Sequence, residues 1–231
     1  MIAAGPFRYL TFDCYGTLVD WETGILAAVR PVLERHDVSA RDGALLTLYA
    51  RLETALESGP YRPYREVLRE VMVGLAAELG FTPDDNDLAA LPESLADWPL
   101  FADSAESLSL LRSRFRLAIV SNIDDALFAA TARQLPDCFD HVITAEQVNS
   151  YKPARAHFDE TLRRLGVPRE AVLHVAQSLY HDHVPAQELG FATVWVNRPS
   201  RYPGGAATPP ATACADLEVP DLATLVRSLG I

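Results

Sequence analysis

The sequence predicts an α/β fold, a parallel sheet flanked by helices and interrupted after its first strand by an all-helical segment. Three observations carry this. The apolar run Tyr9-Leu10-Thr11-Phe12 reads as a buried strand that ends at Asp13, just before a turn at Gly16. From Glu22 to about Trp98 the apolar residues recur at helical spacing, with no convincing strand. Beyond that point, strand-length apolar runs alternate with helical patterns, as parallel βαβ units do.

Taken in order, Ile25, Val29, Val32 and Leu33 suit a first helix, with Pro31 as a kink. Leu45, Leu48, Tyr49, Leu52 and Leu56 suit a second, ended near Gly59-Pro60. Val67, Leu68, Val71, Leu75 and Leu79 suit a third, ended at Gly80. Thr82-Pro83-Asp84-Asp85 begins a fourth, carrying Leu88, Leu91 and Leu95. Leu117-Ala118-Ile119-Val120 reads as a buried strand ending at Ser121-Asn122. Asp124 or Asp125 then begins a helix continued by Leu127, Phe128 and Leu135. His141–Thr144, Ala171–Ala176 and Thr193–Val196 supply further strands. Pro153 suits the first turn of a helix whose apolar stripe is Ala156, Phe158, Leu162 and Leu165. Arg201 to Ala215 is rich in Pro, Gly and Ala and reads as a loop.

Composition bounds the function. The 231 residues permit one large domain or a core plus an insertion, and 49% hydrophobic residues are enough for a packed core. A net charge of -11 argues against a nucleic-acid partner and against anionic membranes. The same charge means that any anion site must be locally positive. No stretch is long enough to span a bilayer, and Met1 to Gly5 lacks the pattern of a secretory leader. Cys14, Cys138 and Cys214 lie far apart, with no metal spacing and no disulfide framework, which fits a reduced cytoplasmic setting.

The chemistry-bearing residues fall at strand ends. Asp13 ends the first strand, and ligands bind at that edge of open α/β sheets. A carboxylate there is a nucleophile or a metal ligand. Tyr15, two positions on, is a poor proton donor at neutral pH, so the site suits a leaving group that needs no proton. Ser121 and Asn122 stand near a helix N-terminus, where anions are favoured, although both are also good helix caps. Lys152 precedes Pro153; a lone lysine is usually a solvated charge. In Gln177-Ser178-Leu179-Tyr180-His181-Asp182 the one acid is Asp182. His174, His181 and His183 invite a metal reading, but a helix beginning near His181 would make the side chains diverge. His157 reads as surface, Cys14 as packing, and Trp21, Trp98 and Tyr180 as packing or wall residues.

Asp13-Cys14-Tyr15-Gly16-Thr17-Leu18 resembles the first motif of the haloacid dehalogenase (HAD) superfamily, in the form carried by type II L-2-haloacid dehalogenases. The superfamily's phosphatases carry a second Asp where Tyr15 stands. Ser121-Asn122, Lys152-Pro153 and the stretch ending at Asp182 resemble motifs two, three and four, in order. The resemblance covers essentially the whole chain. It implies a HAD-like Rossmann fold with an inserted all-helical cap, the core at 1–20 and 99–231 and the cap at 21–98. It also implies a hydrolase that displaces halide from a small 2-haloalkanoic acid through an aspartyl ester, giving a 2-hydroxy acid. Asp13 is then the nucleophile, Lys152 and Thr17 position it, and Asp182 activates water, with His181 as the next candidate. Tyr15, Ser121, Asn122, Arg51 and Ser178 face substrate. No cofactor is implied, the partner is a halogenated carboxylic acid, and a homodimer is compatible.

The departures concern the substrate. No cap arginine aligns with the family position; Arg51 is near it, with Arg62 and Arg65 beyond. Phe158 stands for the family tyrosine and Ser178 for its asparagine. A related enzyme opening another carbon–heteroatom bond in a small acid is one rival. A Mg²⁺-dependent phosphatase is a second, opposed by Tyr15 and Gln177. A binding protein with a decayed site is a third, opposed by the retained Asp13, Lys152 and Asp182.

Overall fold

The computed structural model describes residues 7–231. Met1–Gly5 and the first six residues of the expected core segment 1–20 lie outside the described residues. Strand β1 (Tyr9–Phe12) is buried throughout and is followed by four helices: α1 (Trp21–Arg35), α2 (Asp42–Glu57), α3 (Tyr64–Leu79) and α4 (Asp85–Ser94). The chain then forms α5 (Ser104–Arg112), β2 (Arg116–Ser121), α6 (Asp125–Thr131), β3 (Phe139–Thr144) and α7 (Ala145–Val148). It continues with α8 (Ala156–Leu165), β4 (Val172–Ala176), a wide π-helical turn (Leu179–His183), α9 (Val184–Glu188) and β5 (Ala192–Val196). It ends with β6 (Leu217–Val219) and α10 (Leu222–Ser228).

The six strands form one parallel sheet in the order β3-β2-β1-β4-β5-β6. The chain steps outward from β1 to β2 and β3, then crosses back to β4. That reversal is the topological switch at which ligands bind in open sheets. Register aligns the strand ends there: Phe12 pairs with Ile119 on one side and Val175 on the other. Asp13, Ser121 and Gln177 therefore emerge together.

The helical insertion is built by amphipathic packing of α1 to α4 on one another. Helix ends follow local chemistry. Asp84 and Asp87 form a reciprocal capping box at α4, and Gly80 closes α3 in the left-handed conformation. Gly16, at φ +92°, makes the turn after β1, and its N–H donates to the Val19 carbonyl. Gly24 lets Trp98 lie flat on α1; a Cβ there would stand 2.2 Å from the indole.

Several expectations need correction. α6 stops at Thr131, and Leu135 lies beyond it, extended and buried. Pro153 is not in the first turn of α8. It occupies a turn closed by the Ala154 N–H on the Tyr151 carbonyl, and α8 begins at Ala156. His157 is not at the surface: it is fully buried, and its Nε2 bonds the Ser150 carbonyl at 2.6 Å. β6 and α10, which no apolar run announced, complete the far edge of the sheet.

Candidate active site

Asp13 leaves β1 with its backbone N–H still bonded to Val175 of β4, so the side chain is fixed by the sheet itself. Thr17 reaches back across the Gly16 turn and donates from Oγ1 to Asp13 Oδ2 at 2.7 Å. Its own oxygen accepts from the Gln177 N–H at 2.9 Å, which holds the hydroxyl in that orientation.

Lys152 is buried with a side chain only 1% exposed, an unusual place for a lysine unless it is paired. All three of its donors are engaged: Asp13 Oδ1 at 2.8 Å, Asp182 Oδ1 at 2.7 Å and the Val120 carbonyl at 3.0 Å. Burial works against the ammonium, but the two carboxylates outweigh it and raise its pKa. Burial pushes Asp13 above the usual carboxylate range, opposed by Lys152 and reinforced by Asp182. Asp182 goes the other way. Despite burial, Lys152 and His174 hold it well below that range.

His174, which the sequence offers as a metal ligand, instead supports Asp182. Its Nε2 lies 2.9 Å from Asp182 Oδ1 and its Nδ1 2.9 Å from the Thr11 hydroxyl. An ionised carboxylate only accepts, so Nε2 carries the hydrogen and Thr11 donates to Nδ1. This leaves Asp182 Oδ2 buried and without a partner among the described residues. Among those residues no group of His, Cys, Asp and Glu is placed to hold a metal.

A cavity of about 40 Å³ sits over these groups, lined by Asp13, Asp182, Ser121, Glu53, Glu57 and His181, among others. Tyr15 also lines it, with its hydroxyl bonded to Thr131 and its ring edge-on to Trp98. A wider cleft of about 440 Å³ adjoins it, sharing Glu57 and Lys152 and carrying Tyr61, Tyr151 and Tyr180.

The remaining expected residues divide. The Ser121 hydroxyl is buried, lines the cavity and has no partner among the described residues, so it is free for a ligand. Asn122 lines the cavity but its amide is spent: Nδ2 donates to the Lys152 carbonyl and to Glu57, and Oδ1 accepts from the Lys152 N–H. It anchors the lysine turn. Ser178 caps the π-helical turn, accepting from the His181 N–H and lying 3.1 Å from His181 Nδ1. Arg51 is outside the site. It projects from the outer face of α2, 60% exposed, onto Glu78. Tyr49 and Glu53 occupy the inner face, and position 51 falls opposite them.

Sequence reasoning missed Glu53 and Glu57. Tyr49, Glu53 and Glu57 recur every four residues along the inner face of α2, so two acids share the face that carries Tyr49. Glu53 accepts from the Tyr49 and Tyr64 hydroxyls, and burial raises it to about 7. Glu57 is raised well above the usual carboxylate range by burial and by Glu53.

A family profile described as haloacid dehalogenase-like hydrolase matches residues 7–180. The chain is 29% identical over 199 residues to an (S)-2-haloacid dehalogenase of Pseudomonas sp. (strain YL), covering 82% of each chain. It is 27% identical over 195 residues to an (S)-2-haloacid dehalogenase of Pseudomonas putida, covering 82% of this chain and 84% of that one. The crystal structure of an L-2-haloacid dehalogenase superposes with a TM-score of 0.82 at 25% identity, covering 97% of this chain and 99% of that one.

Proposed function

Because the chain belongs to the haloacid dehalogenase-like hydrolase family, we propose that it cleaves the carbon–halogen bond of a small 2-haloalkanoic acid through an ester on Asp13. The observation that carries this reading is the buried Asp13–Lys152–Asp182 arrangement beneath a cavity that opens toward a wider cleft. The relatives named 2-haloacid dehalogenases support the substrate class.

In the first step an Asp13 oxygen attacks the α carbon. The carbon–halogen bond breaks, halide leaves with the bonding pair, and an ester joins Asp13 to the acid. Tyr15 contributes no proton, and halide needs none. In the second step water attacks the Asp13 carboxyl carbon and gives a proton to Asp182 Oδ2. Lys152 offsets the charge on the tetrahedral oxygen. Collapse breaks the ester, the product alkoxide takes the proton from Asp182, and Asp13 sheds the other to solvent. His181 suits the base role less. Ser178 accepts from the His181 N–H, so its own hydrogen can satisfy Nδ1, leaving the ring proton on Nε2. Asp182 Oδ2 is the unpartnered acceptor.

Metal-dependent phosphoryl transfer fits these residues poorly. The Tyr15 hydroxyl is engaged by Thr131, Gln177 Oε1 by Thr208, and Asp182 Oδ1 by Lys152 and His174. Residues 21–98 serve as a cap over a core of 1–20 and 99–231. Among the described residues no helix is long and apolar enough to cross a membrane. The free Cys14, Cys138 and Cys214 suit a reducing cytoplasm, and a homodimer without a nucleic-acid partner completes the reading. Cleavage of another carbon–heteroatom bond in a small acid is favoured by one observation: no arginine lines the cavity.

A panel of 2-haloacids, with released halide measured by ion chromatography, tests the assignment. Halide release unaffected by excess EDTA is expected. Loss of turnover on chelation, restored by Mg²⁺, would return the site to phosphoryl transfer.

A further inference from the structure

Resting on the reading that the substrate is a carboxylate, a question of charge arises. The cavity over Asp13 is walled by Asp13, Asp182, Glu53 and Glu57, and its one cation is Lys152. Lys152 has no donor left. The Asn122 amide is spent, and Arg51 lies on the outer surface. A substrate carboxylate must be met by neutral donors. Among the described residues, two fully buried ones are without a partner: the Ser121 hydroxyl and His181 Nε2. Both are weak substitutes for the full charge of a guanidinium.

Glu57 is the group placed to make up the difference. It stands at the mouth, shared between the small cavity and the outer cleft. Its Oε2 accepts from Asn122 at 3.2 Å and lies 3.7 Å from His181 Nε2. Among the described residues no hydrogen bond engages its Oε1. As a carboxylate it would repel an incoming anion. As a carboxylic acid it donates a hydrogen bond, and an acid–carboxylate bond is short and charge-assisted.

We infer that Glu57, as the neutral acid, is the receptor for the substrate's carboxylate, so that the substrate binds together with a proton. The surroundings favour the acid form. Burial and Glu53, one turn away on α2, raise its pKa, and Asp13 and Asp182 line the same cavity; the neutral phenols of Tyr64 and Tyr151 line the cavity and the cleft beside it. Lys152 and the Asn122 amide favour ionisation, but burial and Glu53 outweigh them, while His181 is held neutral by burial, its pKa pushed down to about 4. The sign follows. Glu57 has a raised pKa in the free protein, so the binding-competent form prevails below that pKa and is lost as pH rises through it.

The test uses 2-chloropropionate across pH 5 to 9. In the wild type KM should rise by about tenfold per pH unit once Glu57 ionises, with kcat little changed. Glu57→Gln keeps a neutral donor and should flatten that rise. Glu57→Leu should raise KM at every pH. Calorimetric titration with lactate, in two buffers of different ionisation enthalpy, reads proton uptake without turnover. About one proton should enter per lactate bound at alkaline pH in the wild type, and none in Glu57→Gln. A flat wild-type KM, a Glu57→Gln profile that tracks the wild type, or lactate binding without proton uptake overturns the inference. Failure to release chloride, with proton-coupled lactate binding intact, overturns the dehalogenase reading and leaves this one standing.

Discussion

Lys152 joins two carboxylates that the mechanism uses in different steps. Its ammonium lies between Asp13 and Asp182, so removing it would strand two buried charges, a change that typically costs about 3–5 kcal/mol. A milder substitution separates the steps. Asp182→Asn keeps an oxygen for Lys152 and His174 but loses the acceptor for the water's proton. The Asp13 ester should still form and then accumulate, with its hydrolysis slowed about 10²–10⁴-fold. Intact-protein mass spectrometry reads the adduct directly. Normal turnover in Asp182→Asn would move the base elsewhere. Asp13, Thr17 and Asp182 were legible because each lies shortly after a strand whose apolar run fixes where the chain emerges, and Lys152 because it precedes Pro153 in the order of the motifs. His174, Glu53 and Glu57 were not legible, because only tertiary packing brings them to the same cavity. Asn122 was legible by position but not by role, since its amide partners come from the lysine turn and α2.

The elements show the same division. Helices α2 to α4 carried apolar stripes and recognisable ends, so their existence followed from periodicity. Which residue on α2 faces the site did not. Arg51 lies two positions from both Tyr49 and Glu53, and two positions turn a helix by more than half a circle. The short β6 and α10 lack a distinctive pattern and depend on the sheet edge and on α5 for their place. One close approach ties α1 to the segment that ends the helical insertion. Trp98 lies against Gly24 so tightly that a Cβ would sit 2.2 Å from the ring, and Trp98 in turn braces Tyr15. Gly24→Ala should therefore destabilise the protein by about 1–3 kcal/mol through overpacking, despite the better helix propensity of alanine. Urea unfolding reads this as a lower midpoint at unchanged slope. An unchanged or higher midpoint would show that Trp98 is free to move.

Across the whole molecule, a sheet that reverses direction at β1 brings strand ends to one edge, and the helical insertion places acids over them. The protein carries a net charge of -11 and admits its proposed anionic substrate only through a cavity whose single lysine is already paired. The common thread of the proposed mechanism is covalent catalysis at Asp13, for which the neighbouring groups would act in turn as anchor, counter-charge and base. Single-turnover reaction of excess enzyme with 2-chloropropionate in ¹⁸O-water tests this most directly. Water that attacks an Asp13 ester leaves its oxygen on the aspartate. The account predicts ¹⁸O in the peptide bearing Asp13 and unlabelled lactate at the first turnover. Label in the lactate, with none in Asp13, would mean that water displaces the halide directly and would contradict it.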